Sequence, residues 1–195
     1  MLKILILFAH PRLEKSRINR RLVESIPSGL PVTFHDLYEL YPDFNIDIEA
    51  EKQLLLEHDV IIWHHPFYWY SCPPLLKQWI DMVLELGWAY GPGGTQLKGK
   101  YVFNVITTGG ARDSYEHEGR NRFTIRELLS PFDQTAYLCK MIYLPPFTIQ
   151  GTHRLTDQEI EMSVNEFNRL LQLLSSGGFN PEEVRNLKNF NDLFT

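Results

Sequence analysis

The sequence predicts an α/β fold in which a parallel sheet is wound on both faces by helices. Three observations lead there. Short apolar runs alternate along the chain with amphipathic stretches at helical spacing, the pattern of successive βαβ units. The first run, Lys3 to Ala9, stays apolar without alternation, as a strand covered on both faces must. The run Val60-Ile61-Ile62-Trp63 leads into Pro66-Phe67-Tyr68-Trp69-Tyr70, an aromatic cluster at the carboxyl end of a buried strand. In open α/β sheets that edge is where ligands bind.

The elements follow in order. After the first strand, Ile18 to Ile26 reads as an amphipathic helix with Ile18, Leu22, Val23 and Ile26 on one face, ended by Pro27-Ser28-Gly29. Val32 to Asp36 is a shorter, more polar strand suited to a sheet edge. Ile46 to Glu57 is the next helix and Val60 to His64 the third strand. Pro73 to Leu86 forms a helix whose two prolines fall in the first turn, where their missing donors do no harm. Its stripe, Leu75, Leu76, Trp79, Ile80, Val83 and Leu84, is core. A glycine-rich loop from Gly87 to Gly94 precedes the fourth strand, Tyr101 to Thr107. A fifth lies within Met141 to Ile149, followed by a helix from Asp157 to Leu174. Right-handed crossovers between five such strands give the doubly wound, flavodoxin-like order 2-1-3-4-5 with helices on both faces. The 195 residues fit one domain, with 1–174 as its core and 175–195 as a C-terminal arm that has a helix start at Asn180-Pro181-Glu182-Glu183.

Bulk properties exclude several classes. A formal net charge of −5 with no basic block argues against nucleic acid as a partner. Two cysteines, Cys72 and Cys139, make no disulfide framework and point to a reducing cytoplasm. The N-terminal apolar run is too short to span a bilayer and lacks a cleavage site, so any membrane role is peripheral, on the inner face. His64-His65 is not a metal pair, because neighbours on a strand face opposite sides, and no other cluster supports a metal. Cys72 reads as a packed small hydrophobe. Asp43, Asp47, Glu49 and Glu51 read as complement to a helix dipole and as solvated surface.

Three loops converge if strands one, three and four are neighbours. The first, His10 to Asn19, carries neither a dinucleotide fingerprint nor a P-loop. Ser16 at the helix start, Asn19 three residues on and His10 nearby suit either a phosphate cradle or ordinary capping. The second is the aromatic stretch, either the wall for a planar ring or a finish to the core. The third, Thr107-Thr108-Gly109-Gly110, allows close approach of main-chain amides and offers hydroxyls to polar ring atoms. One loop for a phosphate and two for a polar ring is the profile of flavin mononucleotide.

His10-Pro11, Ser16-x-x-Asn19, Pro66-x-x-Trp69-Tyr70 and Thr107-Thr108-Gly109-Gly110 resemble the flavodoxin-fold NAD(P)H:quinone oxidoreductases. Within them, Leu40 to Ile48, Tyr70 to Lys77 and Gly87 to Gly94 are similar to the ancillary subunits of Kef-type glutathione-gated potassium efflux systems. The resemblance runs to about Leu174. It implies that His10, Ser16, Ile18 and Asn19 hold the FMN phosphate and that Pro66, Phe67, Tyr68, Trp69 and Tyr70 line the isoalloxazine. It further implies that Thr107, Thr108, Gly109 and Gly110 meet the ring's polar edge, that Tyr115 is catalytic, and that Tyr90 lines a substrate cleft completed by the second subunit of a homodimer. FMN is implied over FAD because the longer carboxyl-terminal region of the FAD-binding relatives is missing. The family's classical members carry a histidine six residues after that tyrosine as a proton-relay partner. Here Asn121 stands in its place, with His117 earlier. The implied activity is ping-pong hydride transfer from NADH or NADPH to a quinone. The alternatives are a regulatory subunit docked on a Kef-type potassium/proton antiporter, and a flavodoxin-type electron carrier, which the modest acidity and long loops disfavour.

Overall fold

The computed structural model describes residues 1–194. At its centre lie β1 (Ile4–Phe8), β2 (Val32–Asp36), β3 (Val60–Pro66), β4 (Tyr101–Thr107) and β5 (Ile142–Tyr143), hydrogen-bonded in the order β2-β1-β3-β4-β5 with every pair parallel. This is the order that the alternation of elements predicts. β1 and β3 are buried along their whole length, as their unbroken apolar runs require.

Side-chain alternation divides the core in two. Leu5, Leu7, Ile61 and Trp63 face one layer, which includes the helices α2 (Leu37–Leu40), α3 (Ile48–Leu56) and α4 (Pro74–Val83). Ile4, Ile6, Phe8, Val60 and Ile62 face the other, which α1 (Arg17–Glu24) and α7 (Asp157–Ser176) cover. His64 and His65 part to opposite faces accordingly. His64 sits edge-on to Phe8 and Phe167, whereas His65 stacks on Phe132.

Several elements depart from the sequence pattern. α4 stops at Val83, three residues short of Leu86, because Leu84 leaves the helical region. The following loop closes on itself: the Gly87 amide donates to the Tyr90 carbonyl at 2.8 Å. A Cβ on Gly94 would fall 2.1 Å from that same oxygen, so only glycine fits there. The β4–β5 connection carries two helices that the pattern did not announce, α5 (Ile125–Leu128) and α6 (Ser130–Leu138). Each is too short for a clear apolar stripe. The stretch expected as one fifth strand is β5 plus a sixth, β6 (Phe147–Ile149), both paired with β4. Between them lie Pro145 and Pro146, which have no N–H to donate to a ladder.

The segment after Ser176 lies on the second layer. Beyond a short helix, α8 (Pro181–Val184), Phe190 is fully buried and its amide donates to the Pro146 carbonyl at 2.9 Å. Asn191 Oδ1 accepts from the Thr148 amide at 2.9 Å. The tail thus supplies partners to the outer side of the interrupted edge strand.

Candidate active site

The register sets the site. Phe8 pairs with His64, and Pro66 with Thr107, so the loops after β1, β3 and β4 leave the sheet side by side. Between them opens a cleft of about 500 Å³ that His10, Ser16, Ile18, Asn19, Pro66, Phe67, Tyr68, Thr107 and Gly109 help to line. Phe67 is shared with an adjoining cleft of about 280 Å³, lined also by Trp69, Tyr70, Gly110, Tyr115 and Asn121. Thr108 and Tyr90 line neither. The Thr108 hydroxyl donates to the Gly110 carbonyl at 2.7 Å and shapes the loop from behind. Tyr90 packs half-buried against the first core layer.

The first cleft is rich in donors because of one side chain beneath it. Asn19 Nδ2 donates to Ser16 Oγ and to Thr107 Oγ1, both at 3.0 Å. Its Oδ1 lies 3.0 Å from His64 Nε2 and can only accept, so His64 carries its proton on that nitrogen. His64 is completely buried, and burial pushes its pKa down to about 3, so the ring is neutral. The Asn19 carboxamide is therefore spent within the protein. Ser16 Oγ also accepts from the Asn19 amide at 3.3 Å, as an N-cap does. With their acceptor sides occupied and no acceptor for their own protons among the described residues, the Ser16 and Thr107 hydroxyls are left as donors toward the cleft. The amides of Arg17 and Ile18, first in α1, have no partner within the helix.

His10 adds to this set. Its Nδ1 accepts from the Arg12 amide at 3.1 Å, which places the proton of the neutral ring on Nε2. Burial holds its pKa below the ordinary histidine value, against the pull of Glu14. Arg12, Lys15, Arg17, Thr152 and His153 also line the cleft, and the sequence reading did not single them out. The Arg17 guanidinium is occupied by Asp157 at 3.1 Å. Thr152 and His153 follow β6 at the same sheet edge as the other loops. The Gly151 amide donates to the Gly110 carbonyl at 2.8 Å, and a Cβ on Gly109 would meet His153 Nε2 at 3.0 Å. The signal that could have found them was Gly151 two residues after the Phe147-Thr148-Ile149 run, a strand-then-glycine pattern like Thr107 to Gly110.

The aromatic stretch is a strained turn. Trp69 and Tyr70 have φ of +49° and +62°, rare for residues with side chains, and Trp69 is 92% exposed. Phe67, by contrast, is buried, with its ring 6.2 Å from that of Tyr115. Tyr115 is itself buried, and desolvation raises its pKa above the ordinary phenol value, so it stays protonated at neutral pH. The Tyr70 hydroxyl donates to Asn121 Oδ1 at 3.3 Å. His117 lies outside both clefts: it is exposed, 3.0 Å from both Glu127 carboxylate oxygens, and that carboxylate raises its pKa. The Cys72 thiol is pushed up to about 11 by burial and is no ready nucleophile.

The four carboxylates near the second helix divide. Asp47 caps α3, while Glu51 is buried rather than solvated. Glu51 Oε1 accepts from the Tyr41 hydroxyl at 2.5 Å and lies 2.7 Å from His35 Nε2; Oε2 accepts from Trp79 Nε1 at 2.7 Å. Burial favours its neutral form, but these donors together outweigh it and hold the pKa below the ordinary carboxylate value. With Ile46 buried and the Phe44 carbonyl accepting from Gln78, packing accounts for much of the Tyr41–Ile48 segment; Pro42, Asp43 and Asn45 stay exposed.

Comparison with known proteins places this arrangement. Residues 2–171 match the family described as having a flavodoxin-like fold. The uncharacterised NAD(P)H oxidoreductase YdeQ of Bacillus subtilis is 48% identical over 85% of this chain and 84% of its own. The glutathione-regulated potassium-efflux system ancillary protein KefG of Salmonella paratyphi B is 44% identical, over 91% of this chain and 97% of its own. Among solved structures, general stress protein 14 of Treponema denticola in complex with FMN superposes with a TM-score of 0.84 at 38% identity, covering 88% of this chain and 99% of that one. An NADPH-quinone reductase from P. pentosaceus gives 0.80 at 32% identity, over 87% and 98%.

Proposed function

The chain belongs to the flavodoxin-like family, and from that premise we propose that it is an FMN-dependent NAD(P)H:quinone oxidoreductase. The observation that carries this reading is the pair of clefts joined at Phe67, donor-lined on one side and aromatic on the other. The residues present fit FMN. A phosphate needs donors and no competing carboxylate. The first cleft presents the Ser16 and Thr107 hydroxyls, the free amides of α1 and the cations Arg12 and Lys15. A flat ring needs close backbone approach, and the close fit of Gly109 and Gly110 leaves no room for a Cβ without displacing His153 or Tyr115.

Bound there, FMN would supply the hydride chemistry, accepting two electrons from NADH or NADPH and passing them to a quinone in a ping-pong sequence. The protein's share is binding and electrostatics. Ser16, Thr107, His10 and the α1 amides hold the phosphate, while Asn19 and His64 orient the two hydroxyls from below. Phe67 and Pro66 form the inner wall, and Trp69 and Tyr70 stand at the mouth of the second cleft, where substrate would lie. The protonated Tyr115 hydroxyl stabilises negative charge that develops beside it. We place the protein in the cytoplasm as a homodimer, with Tyr90 reaching a cleft formed across the two subunits.

The test is anaerobic absorbance of protein reconstituted with FMN. Bleaching by NADPH or NADH and recovery with quinone supports the reading; flavin that binds but is not reduced refutes it as an enzyme. A second reading, a regulatory subunit of a Kef-type potassium efflux transporter, is supported by the similarity to KefG across nearly the whole chain. Unchanged potassium efflux through such a transporter on addition of the protein would remove it.

A further inference from the structure

A third cavity lies on the far side of Tyr115 from the aromatic mouth. It measures about 160 Å³, and its walls include Arg112, Tyr115, Glu116, Ile125, Arg126 and Lys188. Four segments build it: the loop after β4, the start of α5, Gln150 after β6, and the tail between α8 and Phe190. The tail's share, Lys188 and Asn189, falls beyond residue 171, where the family match ends.

Its charge is one-sided. Arg112, Arg126 and Lys188 line it with a single wall carboxylate, Glu116; Asp192, just behind the wall, pairs with Arg112 at 3.8 Å and accepts from the Asn189 amide at 3.1 Å. Arg126 is the decisive group. Its Nη1 is buried and has no hydrogen-bond partner among the described residues. Arg126 as a whole lines the cavity, and an anionic oxygen there would be the strongest acceptor for a guanidinium not fully paired within the protein. A second cation on the opposite wall, Lys188, would meet the same anion. The volume sets the size of that ligand: it is well below the several hundred cubic ångströms of nucleotide and drug-sized sites.

We propose that this cavity is a second binding site, for a small oxyanion carrying a phosphate or carboxylate group, held by Arg126 and Lys188. Such a ligand would tie the C-terminal tail to α5 behind Tyr115. Arg112 opens the 3-10 turn that ends at Tyr115, so occupancy would also steady that tyrosine.

The experiment is calorimetric titration of FMN-reconstituted protein with inorganic phosphate and, separately, with succinate as a carboxylate probe. Flavin absorbance is followed throughout, so that the donor-lined cleft is known to be filled. One saturable site is expected, weakened about tenfold by Arg126→Gln and about threefold by Lys188→Gln, as loss of charged hydrogen bonds predicts. The tighter probe identifies phosphate or carboxylate as the natural group. Lys188 is exposed, so Lys188→Gln remains a test if Arg126→Gln fails to fold. Equal affinity in the wild type and both variants, or no saturable binding of either probe, overturns the proposal. If the protein takes up no FMN, the same losses still assign the site, so this proposal and the flavin reading fail separately.

Discussion

Asn19 is the residue whose replacement tests the site most directly, because its two variants should separate folding from binding. Asn19→Ala removes three hydrogen bonds: two donated to Ser16 and Thr107 and one accepted from His64. His64 is the costly loss. Its Nδ1 already has no partner among the described residues, and it is completely buried, so its Nε2–H would be stranded as well. A stranded buried donor costs about 1–3 kcal/mol, and the two hydroxyl bonds add about 1 kcal/mol together, since open-cleft water replaces them in part. A loss of about 3 kcal/mol corresponds to a fall in Tm of about 6–12 °C at this chain length. FMN affinity should weaken about tenfold, as each hydroxyl loses the contact that fixes its direction. Asn19→Asp keeps the acceptor for His64, so its Tm should fall less. Yet it turns both hydroxyl protons inward and puts a negative charge beneath the phosphate, so FMN affinity should fall further than in Asn19→Ala. Fluorescence titration of FMN and thermal melts of the three proteins decide it. An Asn19→Asp variant that binds FMN as tightly as wild type would refute the argument that Asn19 aims the hydroxyls.

Glu51→Gln should destabilise by about 3 kcal/mol at pH 7, because an amide cannot accept from Tyr41, His35 and Trp79 together and turns a donor toward one of them. The folded pKa of Glu51 is depressed, so its contribution is full above the ordinary carboxylate range and lost as pH falls below that range through the lower folded value; the gap between wild type and variant, followed by urea denaturation, should close with acidification. Trp69→Ala should leave FMN stoichiometry intact and raise the KM for nicotinamide or quinone about three- to tenfold, since the indole lines only the outer cleft; loss of flavin on gel filtration would contradict that placement. Tyr115→Phe should slow flavin reduction about tenfold in stopped-flow traces with FMN still bound, the worth of one hydrogen bond to developing charge. His117→Ala should leave the rate of flavin reduction and kcat unchanged; a clear fall in kcat would put that histidine into the chemistry.

The parallel sheet was legible because a strand buried on both faces has no choice but to be apolar throughout, and Ile4–Phe8 and Val60–Trp63 are. What was not legible depends on partners distant in sequence. α5 is held by its Thr124–Glu127 capping box and burial of Ile125, and α6 by burial of Phe132, rather than by a long stripe. Phe190 looks like one aromatic in a polar tail until Pro146 and Phe103 are placed beside it. At the site, the loop positions of Ser16, Phe67 and Gly109 were readable. The roles within the first loop were not, because Asn19 looks outward in a motif and inward in the fold. Glu51 has the look of surface charge in the sequence for the same reason, since its three donors come from β2, the loop after α2, and α4.

The residues around Tyr115 bear on how a proton could be managed there. Asn121 stands where the resemblance implies a relay histidine, and its Oδ1 accepts from the Tyr70 hydroxyl. A carboxamide that accepts in this way can orient Tyr70 but cannot take up and return a proton near neutral pH. His117 titrates, but Glu127 holds it at the surface and favours its charged form, which has no lone pair with which to act as a base. Of the two phenols lining the second cleft, Tyr70 gives its proton to the Asn121 hydrogen bond, and Tyr115 is kept protonated by burial. It can donate a hydrogen bond to a developing negative charge without giving up the proton. In the proposed hydride transfer the chain would therefore stabilise charge and leave protonation of the released product to water. The rate of reduction should then be flat with pH across the histidine range.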